Sequence, residues 1–183
     1  NTLSMMQRYQ ADYNSSVTYA LKSAALAEQS TDSSLIKLLP KIYSNISGAL
    51  TGENQFEKAI VYSKKALQFT NYPDEQRYRI ILHLSIADAY VNLKQLAAAK
   101  PYLDTAVLLT GKFNNGIIKL LMFSTEGNYY DQAREYKKAL AAYHMAYQYA
   151  DSNNNTYLKA EAADNLAAIY YKQKNYSEAT LYA

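Results

Sequence analysis

Cysteine and tryptophan are absent from this 183-residue chain, histidine occurs only twice and proline only three times. Without cysteine there are no disulfides, thiolate metal sites or thiol nucleophiles, and both reducing and oxidising compartments stay open. The two histidines, His83 and His144, stand 61 residues apart with no HExxH or HxH spacing, which excludes most zinc and histidine-dependent chemistry. Three prolines (Pro40, Pro73, Pro101) and five glycines leave long stretches uninterrupted. Long apolar runs are missing too: Lys, Asn or Asp breaks each one well short of the ~18 residues of a membrane span. The opening "NTLSMMQRYQ" lacks a charged-then-apolar signal pattern, leaving a removed signal or a distant anchor open.

What is present points to a folded helical domain. The chain is 49% hydrophobic, 13% aromatic and 19% charged, too apolar for a disordered polymer and too polar for a membrane bundle. Its length suits about one domain of ~150 residues. Nineteen Lys and Arg against 16 Asp and Glu give a net charge of +3, with the signs interleaved, so no electrostatic footprint for nucleic acid emerges. Ala, Leu, Lys, Glu and Gln, all good helix formers, dominate. Tyrosine is the anomaly at 20 residues, and its ring suits helix surfaces that are half packed and half wet.

A repeat organises the chain. Ala59, Ala99, Ala139 and Ala179 fall 40 residues apart. In the same register stand Phe56, Leu96, Tyr136 and Tyr176; Leu50, Tyr90, Tyr130 and Tyr170; the small set Ser47, Ala87, Gly127 and Ala167; and Ala66, Ala106 and Ala146. Leu38, Tyr78, Ile118 and Leu158 are in phase upstream. Small residues let helix axes approach, and large residues one turn away fill the groove beside them, so each unit reads as an antiparallel helix pair.

The pattern, small at position 8, aromatic or aliphatic at 11 and 17, Ala at 20 and 27, resembles the tetratricopeptide repeat over roughly residues 35–183. The family unit has about 34 residues, so 40 implies longer helices or connections. Position 4, often Trp in the family, holds Tyr43, His83, Phe123 and Ala163, and the usual Pro near position 32 is replaced by Asn71, Gly111 and Asp151. The resemblance implies an all-α, right-handed superhelical solenoid of antiparallel helix pairs.

The register predicts helix pairs at 35–51 and 55–70, 74–92 and 95–110, 116–131 and 134–151, and 155–173 with 176 onward. The units run 35–73, 74–113, 114–153 and 154–183, after a degenerate capping pair at 1–34. In that cap Val17, Ala20 and Ala27 match Phe56, Ala59 and Ala66 at a spacing of 39. Pro73-Asp74-Glu75 marks a helix start, and Gly111 and Gly116 flank the turn "GKFNNG". Pro40 and Pro101 fall inside helical patterns, where a kink or a later start is expected. Ala183 falls mid-helix, so the chain is expected to be an excised piece of a longer one or to be ordered only to this point.

No nucleophile, base and oxyanion donors assemble from this inventory, so a non-enzymatic role without cofactor or metal is expected. "GKFNNG" lacks the Walker spacing, and the Asn clusters suit turns and caps. The tyrosines follow the packing register, which argues against a base-stacking platform. In tetratricopeptide proteins positions 2, 5, 6, 9, 12 and 13 face a concave groove. Carried over, they give Lys41, Ser44, Asn45 and Gly48; Ile81, Leu84, Ser85, Asp88 and Asn92; Leu121, Ser124, Thr125 and Asn128; Glu161, Asp164, Asn165 and Lys172. The candidate ligand residues are Asn45, Ser85, Asp88, Asn92, Ser124, Asn128, Glu161, Asp164 and Asn165. A carboxylate clamp is disfavoured, because position 5 holds Ser44, Leu84, Ser124 and Asp164 rather than Lys. Asn128 and Asn165 are expected to face each other and bracket a peptide backbone, with Asp88, Glu161 and Asp164 favouring basic or amine groups.

The expected function is a protein- or peptide-binding module. Long units, absent cysteine and Asn/Tyr-rich composition look like the sensory or scaffolding tetratricopeptide region of a larger bacterial signalling protein, a histidine kinase or a transcriptional regulator. The alternatives are a cytoplasmic receptor for a short signalling peptide and a self-assembly scaffold, including a homodimer through the Tyr182 end. An extracytoplasmic sensor region and the cytoplasm are both open, with membrane contact only through parts outside this chain.

Overall fold

The computed structural model describes residues 17–70, 75–113 and 115–183. A helix, α1, covers 17–28, and one helical turn, α2, covers Ser33–Ile36. Four antiparallel pairs follow: α3 (Leu39–Gly52) with α4 (Phe56–Leu67), α5 (Gln76–Asn92) with α6 (Leu96–Gly111), α7 (Gly116–Gln132) with α8 (Tyr136–Ser152), and α9 (Thr156–Lys172) with α10 (Tyr176–Tyr182). No strand occurs among the described residues. The chain is an all-α, right-handed solenoid, as expected.

The 40-residue register appears in the backbone itself. The turn inside each unit places Asn54, Lys94, Arg134 and Lys174 at positive φ, between 58° and 60°. At each turn two hydrogen bonds close the first helix: Lys94 N to the Val91 carbonyl at 2.9 Å and Gln95 N to the Tyr90 carbonyl at 2.9 Å, repeated at the other three. This is the Schellman arrangement, which usually places Gly at the left-handed residue. Here the repeat holds side-chain-bearing residues in that conformation four times.

The small positions do the expected packing. Ala59, Ala99 and Ala139 are buried, as are Ala66, Ala106 and Ala146, which lets paired helices approach closely. Positions 8 and 24 trade volume across each pair. Ser47 meets Ser63, their hydroxyls 2.6 Å apart; Ala87 is paired with Leu103; Gly127 lies under the ring of Tyr143. A Cβ at 127 would be driven into that ring, so the glycine is demanded by contact.

Each second helix packs on the first helix of the next unit (α4 on α5, α6 on α7, α8 on α9), and α3, α5 and α7 also stand side by side. The first helices therefore line one face of the solenoid. α1 docks Ala24 and Ala27 into the core formed with Leu39, Tyr43, Ile46 and Ala59. The first helix anticipated for the capping pair lies outside the described residues.

Asn115, Asn155 and Asn175 accept hydrogen bonds from Ile118 N, Leu158 N and Glu178 N, capping α7, α9 and α10. Pro40 sits in the first turn of α3, so the helix expected from 35 starts at Leu39 after the separate turn α2. α6 instead begins at Leu96 and runs on through Pro101, which rules out a later start there.

Candidate functional site

The first helices enclose a cleft of ≈ 240 Å³ on the lined face. α3 contributes Gly48 and Thr51; α5 contributes Ile81, Leu84, Ser85 and Asp88; α7 contributes Leu121, Ser124, Thr125 and Asn128; α9 contributes Glu161. Of the sequence-predicted site residues, Ser85, Asp88, Ser124, Asn128 and Glu161 come together here. Asn45 is exposed on α3, outside this cleft. Asp164 lines a second pocket, and Asn165 lies half-buried on α9. Asn92 turns back on its own helix, donating to the Asp88 carbonyl at 2.9 Å. Thr51, at groove position 12, also lines the cleft and stands outside the sequence-predicted set.

A polar ladder crosses the cleft floor. Asn128 Nδ2 donates to Asp88 Oδ1 at 2.8 Å, a residue 40 positions earlier. Tyr143 in turn donates its hydroxyl to Asn128 Oδ1 at 2.8 Å. Here the structure departs from the expected Asn128–Asn165 bracket: the amide is held by Asp88 and Tyr143. The reason is the Gly127/Tyr143 exchange, which lets a tyrosine lean across its helix and reach position 9 of the groove. That hydrogen bond joins residues 15 apart and has no signal in the register.

Burial shapes the electrostatics. Burial raises the Asp88 carboxyl above the ordinary aspartate value, with the Asn128 amide pulling the other way. Glu161 is raised by burial first, then by the nearby charges of Asp88 and Asp164. Tyr143 is pushed far up by burial, reinforced by Asp131, Asp88 and Glu161. Asp88 and Glu161 both line the cleft, and the repulsion between their carboxylates is what a cationic guest would relieve. At the rim Lys172 binds Asp131 across the unit boundary, Nζ to Oδ2 at 2.6 Å.

His83 packs beside Tyr102, at 5.8 Å between ring centroids, in the position its register implied. Burial, then the charge of Arg79, lowers its pKa. No group of three or more His, Cys, Asp or Glu placed to hold a metal ion occurs among the described residues. No helix among them is long and apolar enough to cross a membrane.

Residues 160–183 match the Tetratricopeptide repeat family model. No curated protein matches the chain in sequence. Among solved structures it is similar to BtubC (BKLC) from P. vanneervenii, with a TM-score of 0.72 at 15% identity over 93% of this chain and 70% of that one. It is also similar to RapI in its apo form, with a TM-score of 0.70 at 17% identity over 97% of this chain and 49% of that one. The chain thus spans about half the length of RapI. The helix pairs that precede the matched segment 160–183 stand in the same 40-residue register and share its antiparallel arrangement.

Proposed function

We propose that this chain is a non-enzymatic module that binds a peptide or protein segment along the face lined by α3, α5, α7 and α9. The observation that carries the reading is the cleft itself. Ile81, Leu84 and Leu121 offer apolar contact, Ser85, Ser124 and Asn128 offer donors and acceptors, and Asp88 and Glu161 supply negative charge. Such a mixture fits an extended segment with apolar side chains and at least one basic or amine group. The units 35–73, 74–113, 114–153 and 154–183, with 1–34 as the cap, form the working division of the module.

The composition and long units favour a place as the sensory or scaffolding part of a larger bacterial signal-transduction protein, a sensor histidine kinase or a transcriptional regulator. A cytoplasmic receptor for a short signalling peptide is the second reading. It is supported by the small volume of the cleft, ≈ 240 Å³.

The test is selection of displayed peptides of about 12 residues on the full chain, followed by titration of the best peptide against Leu84→Arg and Asp88→Ala. Weakening by both variants, with Lys137→Ala on the other helix layer unchanged, supports the groove. Equal binding by all three discards it.

A further inference from the structure

Position 7 of the unit belongs to the core in three units and carries a carboxylate in the remaining one. Ile46, Ile86 and Leu166 stand there, each no more than 1% exposed and packed among buried neighbours. The third unit places Glu126 at that position, half-buried on α7. Among the described residues Glu126 makes no hydrogen bond or ion pair. Burial holds its carboxyl above the ordinary glutamate value, with the charge of Lys100 pulling it down and that of Asp104 pushing it up. A carboxylate in a stripe that is otherwise isoleucine and leucine costs stability, and a repeat that breaks its own rule at one position marks a place kept for something other than folding.

Glu126 lines a pocket of ≈ 270 Å³ between α7 and α8. Phe123 and Tyr130, one helical turn before and after it, flank it on α7, and Ala142 and Met145 supply apolar wall from α8. Lys138 is the one cation in the lining, and it is already engaged: its Nζ lies 2.5 Å from Glu135 Oε2 and 5.2 Å from the centre of the Tyr130 ring. Lys100, the cation of the preceding unit whose charge reaches Glu126, is paired with Asp104 one turn along α6. Both lysines are thus matched by acids close to them in sequence, and the pocket keeps one carboxylate unmatched.

We infer that this pocket takes the side chain of an arginine from a protein partner, its guanidinium meeting Glu126 and its methylene stem lying on Phe123, Ala142 and Met145. The volume falls below the roughly 300 Å³ at which small-molecule sites begin and suits a single side chain. A guanidinium is more weakly hydrated than an ammonium, so it enters a half-buried site at lower cost, and it meets a carboxylate with two parallel N–H donors. Its stem covers apolar wall while the charge stays near water. The pocket shares no residue with the cleft of the first helices, so neither site needs the other to be occupied.

The probe is N-acetyl-arginine methylamide, added to the whole chain with its methionine methyl groups carbon-13 labelled. A saturable shift of the Met145 methyl in the range of about 1 mM or above is expected, while Met122, buried among α5, α6 and α7 residues, stays fixed. The citrulline derivative, equal in shape and uncharged, should bind about tenfold more weakly or worse, and the lysine derivative about threefold more weakly. Glu126→Gln should remove the preference for arginine over citrulline. Glu126→Leu, which restores the residue type of the other units, should abolish binding and raise the melting temperature. Absence of a saturable Met145 shift, equal binding of the arginine and citrulline derivatives, or an unchanged preference in Glu126→Gln overturns the inference. A lower melting temperature for Glu126→Leu overturns it too, because the carboxylate would then be serving the fold. Agmatine binding more than about tenfold tighter than the capped arginine would point to a small free cation and overturn the protein partner.

Discussion

The third and fourth units are built on one register yet differ in the side chains they place at its packing positions. In the third, Phe123 stacks on Tyr149, Gly127 makes room for a Tyr143 only 2% exposed, and Ala139 is fully buried. In the fourth the matching positions are Ala163, Ala167, Ala183 and Ala179, so a small residue stands where the third unit has a ring at positions 4 and 24. The pattern of small residues sets the helix pair in both units, while the large rings that fill the third are particular to it.

The sharpest way to break this comparison is Tyr143→Ala. It should cost about 3–5 kcal/mol through the cavity it leaves, and it also removes the hydroxyl that holds Asn128. Chemical denaturation reads the loss. Next comes a matched pair: Ala139→Leu overpacks α7 against α8 and should cost about 1–3 kcal/mol, whereas Ala179→Leu should cost less than about half of that. Equal costs would show that the fourth unit is as tightly closed as the third.

How far these differences were legible in the sequence depends on their range. Every helix of the four pairs was visible, because alanine at positions 20 and 27 and the aromatic positions recur at a fixed spacing. The cleft was largely legible for the same reason: positions 2, 5, 6 and 9 fall on one stripe of each first helix, and Ser85, Asp88, Ser124, Asn128 and Glu161 meet there. Contacts set by exchange of volume were hidden. Nothing in the spacing tells that Gly127 lets Tyr143 reach Asn128, so the hydrogen bonds that hold the Asn128 amide are not visible in the register. Of the five left-handed residues described, Lys94, Arg134 and Lys174 were hidden too, since unlike Asn54 and Asn154 they carry no turn signature of their own.

Smaller effects sharpen the electrostatic side. Asp88 has its pKa raised in the folded chain, so its contribution to stability is complete below the ordinary aspartate value of 3.8 and is lost as pH rises through the raised one. Asp88→Asn should therefore raise the melting temperature at pH 7, and the gain over the natural chain should shrink as pH falls toward 4. A constant difference across that range would place the effect in packing instead of charge. Smallest is Arg134→Gly, which relieves a left-handed residue at φ 59° and should stabilise by up to about 1 kcal/mol. Thermal melting of the single variant suffices.

The most direct test of the groove follows backbone amide shifts in the whole chain as a selected peptide is added. The expected result is a continuous band of perturbed amides on α3, α5, α7 and α9, including Ser85, Ser124, Asn128 and Glu161, with α4 and α6 unmoved. Perturbation confined to α4 and α6, or to the outer face around Tyr171 and Tyr176, would contradict it.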